Sequence, residues 1–417
     1  MVFGLLGRKL GHSYSPQIHS LLGDYKYPLY EKEPDEIADF MASGEFDGMN
    51  VTIPYKETVV PYMSRLSDAA MKIGSVNTVT RLPDGTLYGN NTDYYGFSFL
   101  LESAGFEVKD KKVIVLGNGG ASKTVVCVCR DKGAKEITVI SRRSETDNYE
   151  NISKHADADY VINTTPVGMY PNNGERLIDL TLFKACKGVA DLIYNPSKTQ
   201  FILDAEALKI PAVNGLVMLC AQAVKAAENF TGNKYPESKT LEILSALEKQ
   251  MKNIVLVGMP GCGKSTAGRL LAEKLQREFV DTDSLIVESE KTPIPVIFEK
   301  KGEQYFRDCE TNAVKTAGKM SGKIIATGGG AILRDENKAA LRQNSVVVFL
   351  SRDISTLSTD GRPLSQTNKL SEMYKARLPH YKTVSDIDVE VAPDPEITVE
   401  RILKGLEKNE NTRYKRS

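Results

Sequence analysis

Ile254-Val255-Leu256-Val257-Gly258-Met259-Pro260-Gly261-Cys262-Gly263-Lys264-Ser265-Thr266 reads as a short apolar strand, a glycine-rich turn and the start of a helix. The spacing is G-x-x-x-x-G-K-S, that of a phosphate-binding loop. Its glycines let successive backbone N–H groups turn inward around phosphate. Lys264 reaches the outer phosphates, and Ser265 is placed to hold Mg²⁺. The helix behind adds the positive end of its dipole. In this context Gly258, Gly261, Cys262, Gly263, Lys264, Ser265 and Thr266 are expected to bind ATP. The loop lies past the middle of the 417-residue chain, so the stretches before and after it are read separately.

That length exceeds one hydrophobic core and predicts two or three domains. Apolar residues make up 41% and charged residues 26%, as in ordinary globular proteins. The 54 Lys and Arg balance the 54 Asp and Glu, so no global charge draws the chain to nucleic acid or to anionic membrane. No apolar run approaches the roughly 18 residues of a membrane span. Met1 to Leu6 looks like a first strand, not a signal peptide. Six cysteines without a C-x-x-C pair suit free thiols in a reducing cytoplasm. Four histidines, none at zinc spacing from a cysteine, suggest no metal cage.

Outward from the loop, the first half opens with a strand, Val2 to Gly7, then Gly11-His12-Ser13-Tyr14-Ser15-Pro16 entering a helix. Ser13 and Ser15 can aim two hydroxyls at one anion beside the helix N-terminus. Alternatively Ser15 is only an N-cap with Pro16 behind it. Asn50-Val51-Thr52-Ile53-Pro54-Tyr55-Lys56 alternates like a strand and stops at proline, leaving Lys56 at its end. Such a lysine is a proton donor in the right surroundings and a solvated surface residue otherwise. Ser75-Val76-Asn77-Thr78-Val79 and Gly89-Asn90-Asn91-Thr92-Asp93-Tyr94-Tyr95-Gly96 add uncharged donors and one carboxylate. Asp93 precedes a helix, where a first-turn acid is equally ordinary.

The ordered set S-x-S, N-V-T-x-P-x-K, V-N-T and N-T-D-x-x-G resembles shikimate dehydrogenase, from Gly4 to about Glu248. The resemblance implies that Ser13 and Ser15 bind the substrate carboxylate. It implies that Lys56 and Asp93 form the catalytic pair, and that Thr52, Asn77 and Asp93 hold ring hydroxyls. A neighbouring carboxylate and ammonium suit proton transfer to an oxygen as hydride arrives.

Lys111 to Leu116, Gly117-Asn118-Gly119-Gly120-Ala121-Ser122, a helix and Lys135 to Ile140 form a βαβ unit of Rossmann type, with Ser122 where a third glycine is usual. Its second strand ends in Ser141-Arg142-Arg143 instead of an acid, which favours the 2′-phosphate of NADP over the ribose hydroxyls of NAD. Tyr160 to Met169, with Thr165, and Val189 to Pro196 are further strands and loops at the same sheet edge. NADP is thus expected at Gly117, Gly119, Gly120, Ala121, Ser141, Arg142 and Thr165. By resemblance Gly215 approaches the nicotinamide, while Tyr194 and Gln222 meet the substrate. Val217 stands where the family often has glycine. Cys127 and Cys129 read as small apolar residues.

Beyond the loop come Phe279-Val280-Asp281-Thr282-Asp283, Gly302 to Arg307, a strand into Thr327-Gly328-Gly329-Gly330-Ala331, Arg362-Pro363-Leu364 and Arg377-Leu378-Pro379-His380-Tyr381. Two acids beside a phosphate loop divide the work: one holds Mg²⁺ through water, the other orients or deprotonates a hydroxyl. A triple glycine brings bare backbone against a ligand. The stretch from Asn253 to about Leu406 resembles shikimate kinase through the ordered G-x-x-x-x-G-K-S, D-x-D, F-R, G-G-G-A, R-P-L and R-x-P-x-Y. The resemblance implies that Asp283, Arg307, Gly329, Gly330 and Arg377 bind shikimate. Asp283 would orient its 3-hydroxyl, and Arg362 would close over the transferring phosphate and ATP. Ser265 and, through water, Asp281 would hold the metal.

The expected architecture is α/β throughout. Residues 1–105, completed by 214–250, form a substrate lobe. Residues 106–213 form a Rossmann-type NADP lobe, 252–406 a P-loop kinase with a lid, and 407–417 a disordered tail. The implied partners are small molecules, 3-dehydroshikimate and shikimate. The stretch Arg352 to Arg362 is short, with Leu357-Ser358-Thr359-Asp360 where the family often carries another arginine. That leaves open a kinase-like nucleotide-sensing or structural module of little turnover beside an active dehydrogenase. A quinate-type, NAD-linked dehydrogenase is a third reading, which Arg142 and Ser13 oppose.

Overall fold

The structure, a computed structural model, describes residues 1–11, 13–353 and 367–414. It divides into two compact units. The first comprises residues 1–166, 177–194 and 204–247, and the second residues 167–176, 195–203 and 248–417. The second unit thus takes in two short stretches that the sequence reading assigns to the NADP-binding lobe.

The first unit holds two sheets. In the first, β1 (Phe3–Gly7), β2 (Leu29–Glu31), β3 (Gly48–Val51), β4 (Arg65–Leu66), β5 (Thr78–Arg81) and β6 (Leu87–Asn90) lie in the order β2-β1-β3-β5-β6-β4. β1 runs parallel to β2 and β3, while β5 is antiparallel to both β3 and β6. The register sets Asn50 of β3 opposite Thr78 of β5, and Thr78 opposite Asn90 of β6. Polar residues from three strands therefore meet at one end of the sheet. Leu6, Met49, Val51, Phe40 and Val79 fill its core.

The second sheet is wholly parallel: β7 (Lys112–Leu116), β8 (Glu136–Ile140), β9 (Tyr160–Asn163), β10 (Gly188–Asp191) and β11 (Ala212–Asn214), ordered β11-β10-β9-β7-β8. Val113 to Leu116 are buried without a break, as expected of a strand covered on both faces. The order reverses between β7 and β9, and the carboxyl edge there is the usual dinucleotide crevice. Cys127 and Cys129 are both buried, and burial pushes the Cys129 thiol up to about 12. Helix Asp93–Ser103 crosses helix Leu216–Thr231 closely at Gly96, where a Cβ would stand 2.7 Å from the Met218 carbonyl oxygen.

The second unit is built on β12 (Asn253–Val257), β13 (Phe279–Asp281), β14 (Ile324–Ala326), β15 (Ser345–Ser351) and β16 (Ile387–Glu390), all parallel, in the order β13-β14-β12-β15-β16. The strand before the phosphate loop is thus central, with every one of its residues buried. Helix Lys264–Leu275 follows the loop. The long helix Ile294–Gly318 is broken only at Gly302, whose φ of 79° belongs to glycine. The closing helix, expected to stop near Leu406, continues over Pro395–Tyr414 and occupies most of the stretch read as a disordered tail. Among the described residues no helix is long and apolar enough to cross a membrane.

Candidate active sites

In the first unit a cavity of about 500 Å³ opens where β1, β3 and four helices converge. Ser13, Ser15, Thr52, Lys56, Asn77, Asp93, Tyr194, Gly215, Gln222 and Ala121 all line it. Residues from widely separated stretches of sequence therefore share one space. The open question at Ser15 is answered by the helix end. Tyr14, not Ser15, holds the N-cap position of helix Ser15–Ser20, and no side chain caps it. Ser13 Oγ accepts the Ser15 N–H at 3.2 Å, which fixes the two serines relative to each other.

Lys56 Nζ lies 2.6 Å from Asp93 Oδ2, with the lysine side chain 30% and the aspartate 16% exposed. Asp93 is also the first residue of its helix, so the first-turn acid and the ion-pair partner are one group. Asn77 is 3% exposed and its Oδ1 accepts the Thr92 N–H at 2.7 Å and the Thr78 hydroxyl at 3.0 Å. Its amide nitrogen is thereby oriented by the backbone that also positions Asp93. Burial raises the Tyr194 hydroxyl above its ordinary value.

Asn50 reads in the sequence only as a strand residue, yet it lines the cavity. Its Oδ1 accepts the buried Tyr27 hydroxyl at 2.7 Å, and its Nδ2 donates to Thr78 Oγ1 at 3.3 Å. The signal is the cross-strand register, which spacing along the chain does not carry. Val217 is buried among core side chains and is not part of the cavity wall.

The remaining NADP-assigned residues gather at the carboxyl edge of β7, β8 and β9. Gly117 has φ 100°, donates its N–H to the Ile140 carbonyl, and leaves room for Thr165, whose Cγ2 would lie 2.8 Å from a Cβ there. Gly119 caps helix Gly120–Asp131 without a side-chain hydrogen bond. A Cβ on Gly119 or Gly120 would meet nothing within 4 Å. Bare amides at a helix start with open space in front fit a pyrophosphate. Ser141 is buried and Arg142 exposed just past β8. This edge fits NADP.

Gly215 is required by shape: a Cβ there would overlap the Leu192 carbonyl oxygen. Gly215→Ala is expected to cost at least about 1–3 kcal/mol through forced backbone movement. Thermal unfolding should show the loss, with dehydrogenase activity falling and the second unit's activity kept.

In the second unit a cavity of about 310 Å³ is lined by Gly261, Lys264, Ser265, Asp281, Asp283, Arg307, Gly329, Gly330 and Arg377. Gly258, Gly261 and Gly263 have φ of 152°, 81° and 95°. Lys264 is folded over the loop, donating to the Gly258 and Met259 carbonyls at 2.9 Å each. Ser265 Oγ donates to Asp281 Oδ2 at 2.9 Å, and Asp281 Oδ1 accepts the Asp283 N–H at 3.0 Å. A hydroxyl and a carboxylate oxygen side by side under a phosphate loop fit a hard cation such as Mg²⁺, which takes few protein ligands. Cys262 and Thr266 stay outside the cavity wall. Arg362 lies outside the described residues.

The triple glycine reads in the sequence as bare backbone facing a ligand, and its neighbours give a fuller reason. A Cβ on Gly328 would stand 2.7 Å from Glu310 Oε1 and 2.8 Å from Asp283 Oδ1. One on Gly330 would overlap the Arg307 guanidinium, and one on Gly329 would lie 2.5 Å from Pro260 Cδ. Gly328 and Gly330 make room for polar side chains of the site, and Gly329 for Pro260 of the phosphate loop. Arg377 and the buried Tyr381 both donate to the Gly329 carbonyl, at 3.2 and 2.6 Å.

Glu310 escapes the sequence reading. It is 2% exposed and pairs with Arg307 Nη1 at 2.7 Å, while Glu303 takes the other edge of that guanidinium. Burial raises the Glu310 carboxyl, with Arg307 opposing. Burial alone would lower Arg307, but its two carboxylates outweigh that and raise it. An i,i+3 pair after F-R is the available signal.

Comparison with known proteins follows the same division. The shikimate dehydrogenase substrate binding domain family matches residues 5–79, and the shikimate kinase family matches residues 260–407. A shikimate dehydrogenase (NADP(+)) of Clostridium beijerinckii is 38% identical over 269 residues, covering 60% of this chain and 99% of that protein. A solved chorismate mutase/shikimate 5-dehydrogenase fusion protein from Clostridium acetobutylicum superposes with TM-score 0.57 at 36% identity, over 60% of this chain and 97% of that one. The shikimate 5-dehydrogenase from Thermus thermophilus, in complex with NADP(H) and shikimate, gives TM-score 0.54 at 28% identity, over 59% of this chain and 99% of that one. The chain therefore belongs to the shikimate dehydrogenase family and carries, after that dehydrogenase, a shikimate kinase domain.

Proposed function

We propose that this chain catalyses two consecutive reactions of the shikimate pathway: NADPH-dependent reduction of 3-dehydroshikimate to shikimate, then ATP- and Mg²⁺-dependent phosphorylation of shikimate to shikimate 3-phosphate. One observation carries the reading. A shikimate dehydrogenase and a shikimate kinase domain stand in one chain, and the product of the first reaction is the substrate of the second.

In the first site Ser13 and Ser15 bind the substrate carboxylate through their hydroxyls. Thr52, Asn77 and Asp93 hold the ring hydroxyls, with Tyr194 and Gln222 closing the cavity around them. Lys56 gives its proton to the C3 oxygen and regains one from solvent, while Asp93 keeps the ammonium charged and aimed. NADPH supplies the hydride when bound. Gly117, Gly119, Gly120, Ala121, Ser141, Thr165 and Gly215 shape its seat, and Arg142 receives the 2′-phosphate.

In the second site Arg307 and Arg377 receive the shikimate carboxylate, Arg307 giving up its contact with the exposed Glu303 to do so. Asp283 orients the 3-hydroxyl and accepts its proton. Lys264 would leave the loop carbonyls for the outer phosphates, and Ser265, with Asp281 acting through water, would hold Mg²⁺. ATP with Mg²⁺ supplies the phosphoryl group when bound. Arg362 is assigned to the transferring phosphate on its motif alone. Six free cysteines support a reducing, cytoplasmic setting.

The test supplies the purified chain with 3-dehydroshikimate, NADPH, ATP and Mg²⁺, and follows NADPH absorbance and shikimate 3-phosphate together. NADPH consumption with appearance of the phosphate ester is the expected result. NADPH consumption with unphosphorylated shikimate accumulating would show a second unit without this activity.

A further inference from the structure

Among the described residues lining the cavity of the first unit, three are charged: Lys56, Asp93 and Lys9. The first two neutralise each other across 2.6 Å. Lys9 therefore leaves the wall with one unbalanced positive charge, in a chain whose formal net charge is zero. Of the neighbouring charges, Arg8 pairs with Glu33 at 2.8 Å, while the Glu31 carboxylate accepts the Leu10 N–H at 2.6 Å and keeps its charge outside the cavity lining. Lys9 forms no ion pair within 4 Å among the described residues. The turn that follows, closed by the Ser13 N–H on the Leu10 carbonyl at 2.9 Å, brings Ser13 and Ser15 into the same wall.

We infer that Lys9 is a further substrate-binding residue of the dehydrogenase, supplying the charge partner for the substrate carboxylate that the hydroxyls of Ser13 and Ser15 lack. The inference rests on the proposed reduction of 3-dehydroshikimate. Two hydroxyls give a carboxylate direction but no charge compensation. The ammonium of an exposed lysine in that lining attracts the anion over roughly a Debye length, about 8 Å at physiological salt. Because Lys9 is solvated, its contribution is modest, falls with salt, and appears in KM and not in the chemical step.

The experiment compares Lys9→Arg, Lys9→Ala and Lys9→Glu with the wild-type chain in 3-dehydroshikimate reduction, at low and at high ionic strength, with kinase activity as a folding control. At low salt Lys9→Ala is expected to raise KM about two- to five-fold, the effect of one exposed charge pair, with kcat unchanged. Lys9→Glu should raise it further, Lys9→Arg should match wild type, and the spread should collapse at high salt. Equal KM values for all four at low salt would overturn the assignment. So would a defect in Lys9→Ala that persists at high salt or is shared by Lys9→Arg, which marks a packing role. Absence of wild-type reduction would overturn the dehydrogenase reading itself, and this inference with it.

Discussion

An Asp283→Asn chain is expected to reduce 3-dehydroshikimate at the wild-type rate and to form almost no shikimate 3-phosphate. The substitution keeps the size of the side chain, which matters because Asp283 Oδ1 packs where a Cβ on Gly328 would stand. It also keeps the backbone N–H that Asp283 donates to Asp281 Oδ1, so the pairing of Asp281 with Ser265 is preserved. What it removes is the negative charge and the basic oxygen. A lost general base typically costs about 10²–10⁴ in rate. The effect should fall on kcat, with shikimate affinity changed far less, because Arg307 and Arg377 remain to hold the carboxylate. Following NADPH and the phosphate ester in one vessel checks both halves at once. Retention of phosphorylation would remove Asp283 from the proton path. Loss of both activities would mean that folding, not chemistry, was damaged.

The parts of this protein that its sequence discloses are those governed by local rules. The apolar run Ile254 to Val257 and the glycines after it name a strand and a loop by themselves, and β12 and helix Lys264–Leu275 follow. The parallel order of the last two sheets follows from strands alternating with helices. Ser13, Lys56, Asn77 and Asp93 are legible because motif order stands in for distance. They then prove to share one cavity. Residues whose work is done across strands or between helices stay silent. Asn50 owes its place to facing Thr78 across the β3–β5 register. Glu310 depends on a helix burying it beside Arg307. Gly96 reads in the sequence only as the end of a motif, and the glycines at 328–330 as bare backbone against a ligand, but they are also the imprint of a neighbour's carbonyl or side chain. The closing helix reads as stopping near Leu406 because polar composition suggests disorder, whereas it continues over Pro395–Tyr414.

Replacing Lys56 by alanine is expected to lower the dehydrogenase kcat by about 10²–10⁴, the usual worth of a positioned proton donor. NADPH affinity should change little, since all the residues assigned to the dinucleotide except Gly215 lie at the ends of β7, β8 and β9. Lys56 Nζ and Asp93 Oδ2 are 2.6 Å apart in a partly exposed corner, so the truncation leaves Asp93 reachable by water and the fold intact. The mechanism turns on what the ammonium does, and arginine separates charge from proton transfer. A guanidinium restores the positive charge opposite Asp93 but, with its pKa above about 12, does not release a proton in this range. Lys56→Arg should therefore recover substrate affinity and not kcat. Steady-state kinetics of the two variants, with kinase turnover as the internal control, decide the matter. If Lys56→Arg regains most of the rate, the lysine acts as a charge and the proton reaches the C3 oxygen by another route. If kcat survives in Lys56→Ala and only KM rises, Lys56 is a binding residue and the proton-donor role is wrong.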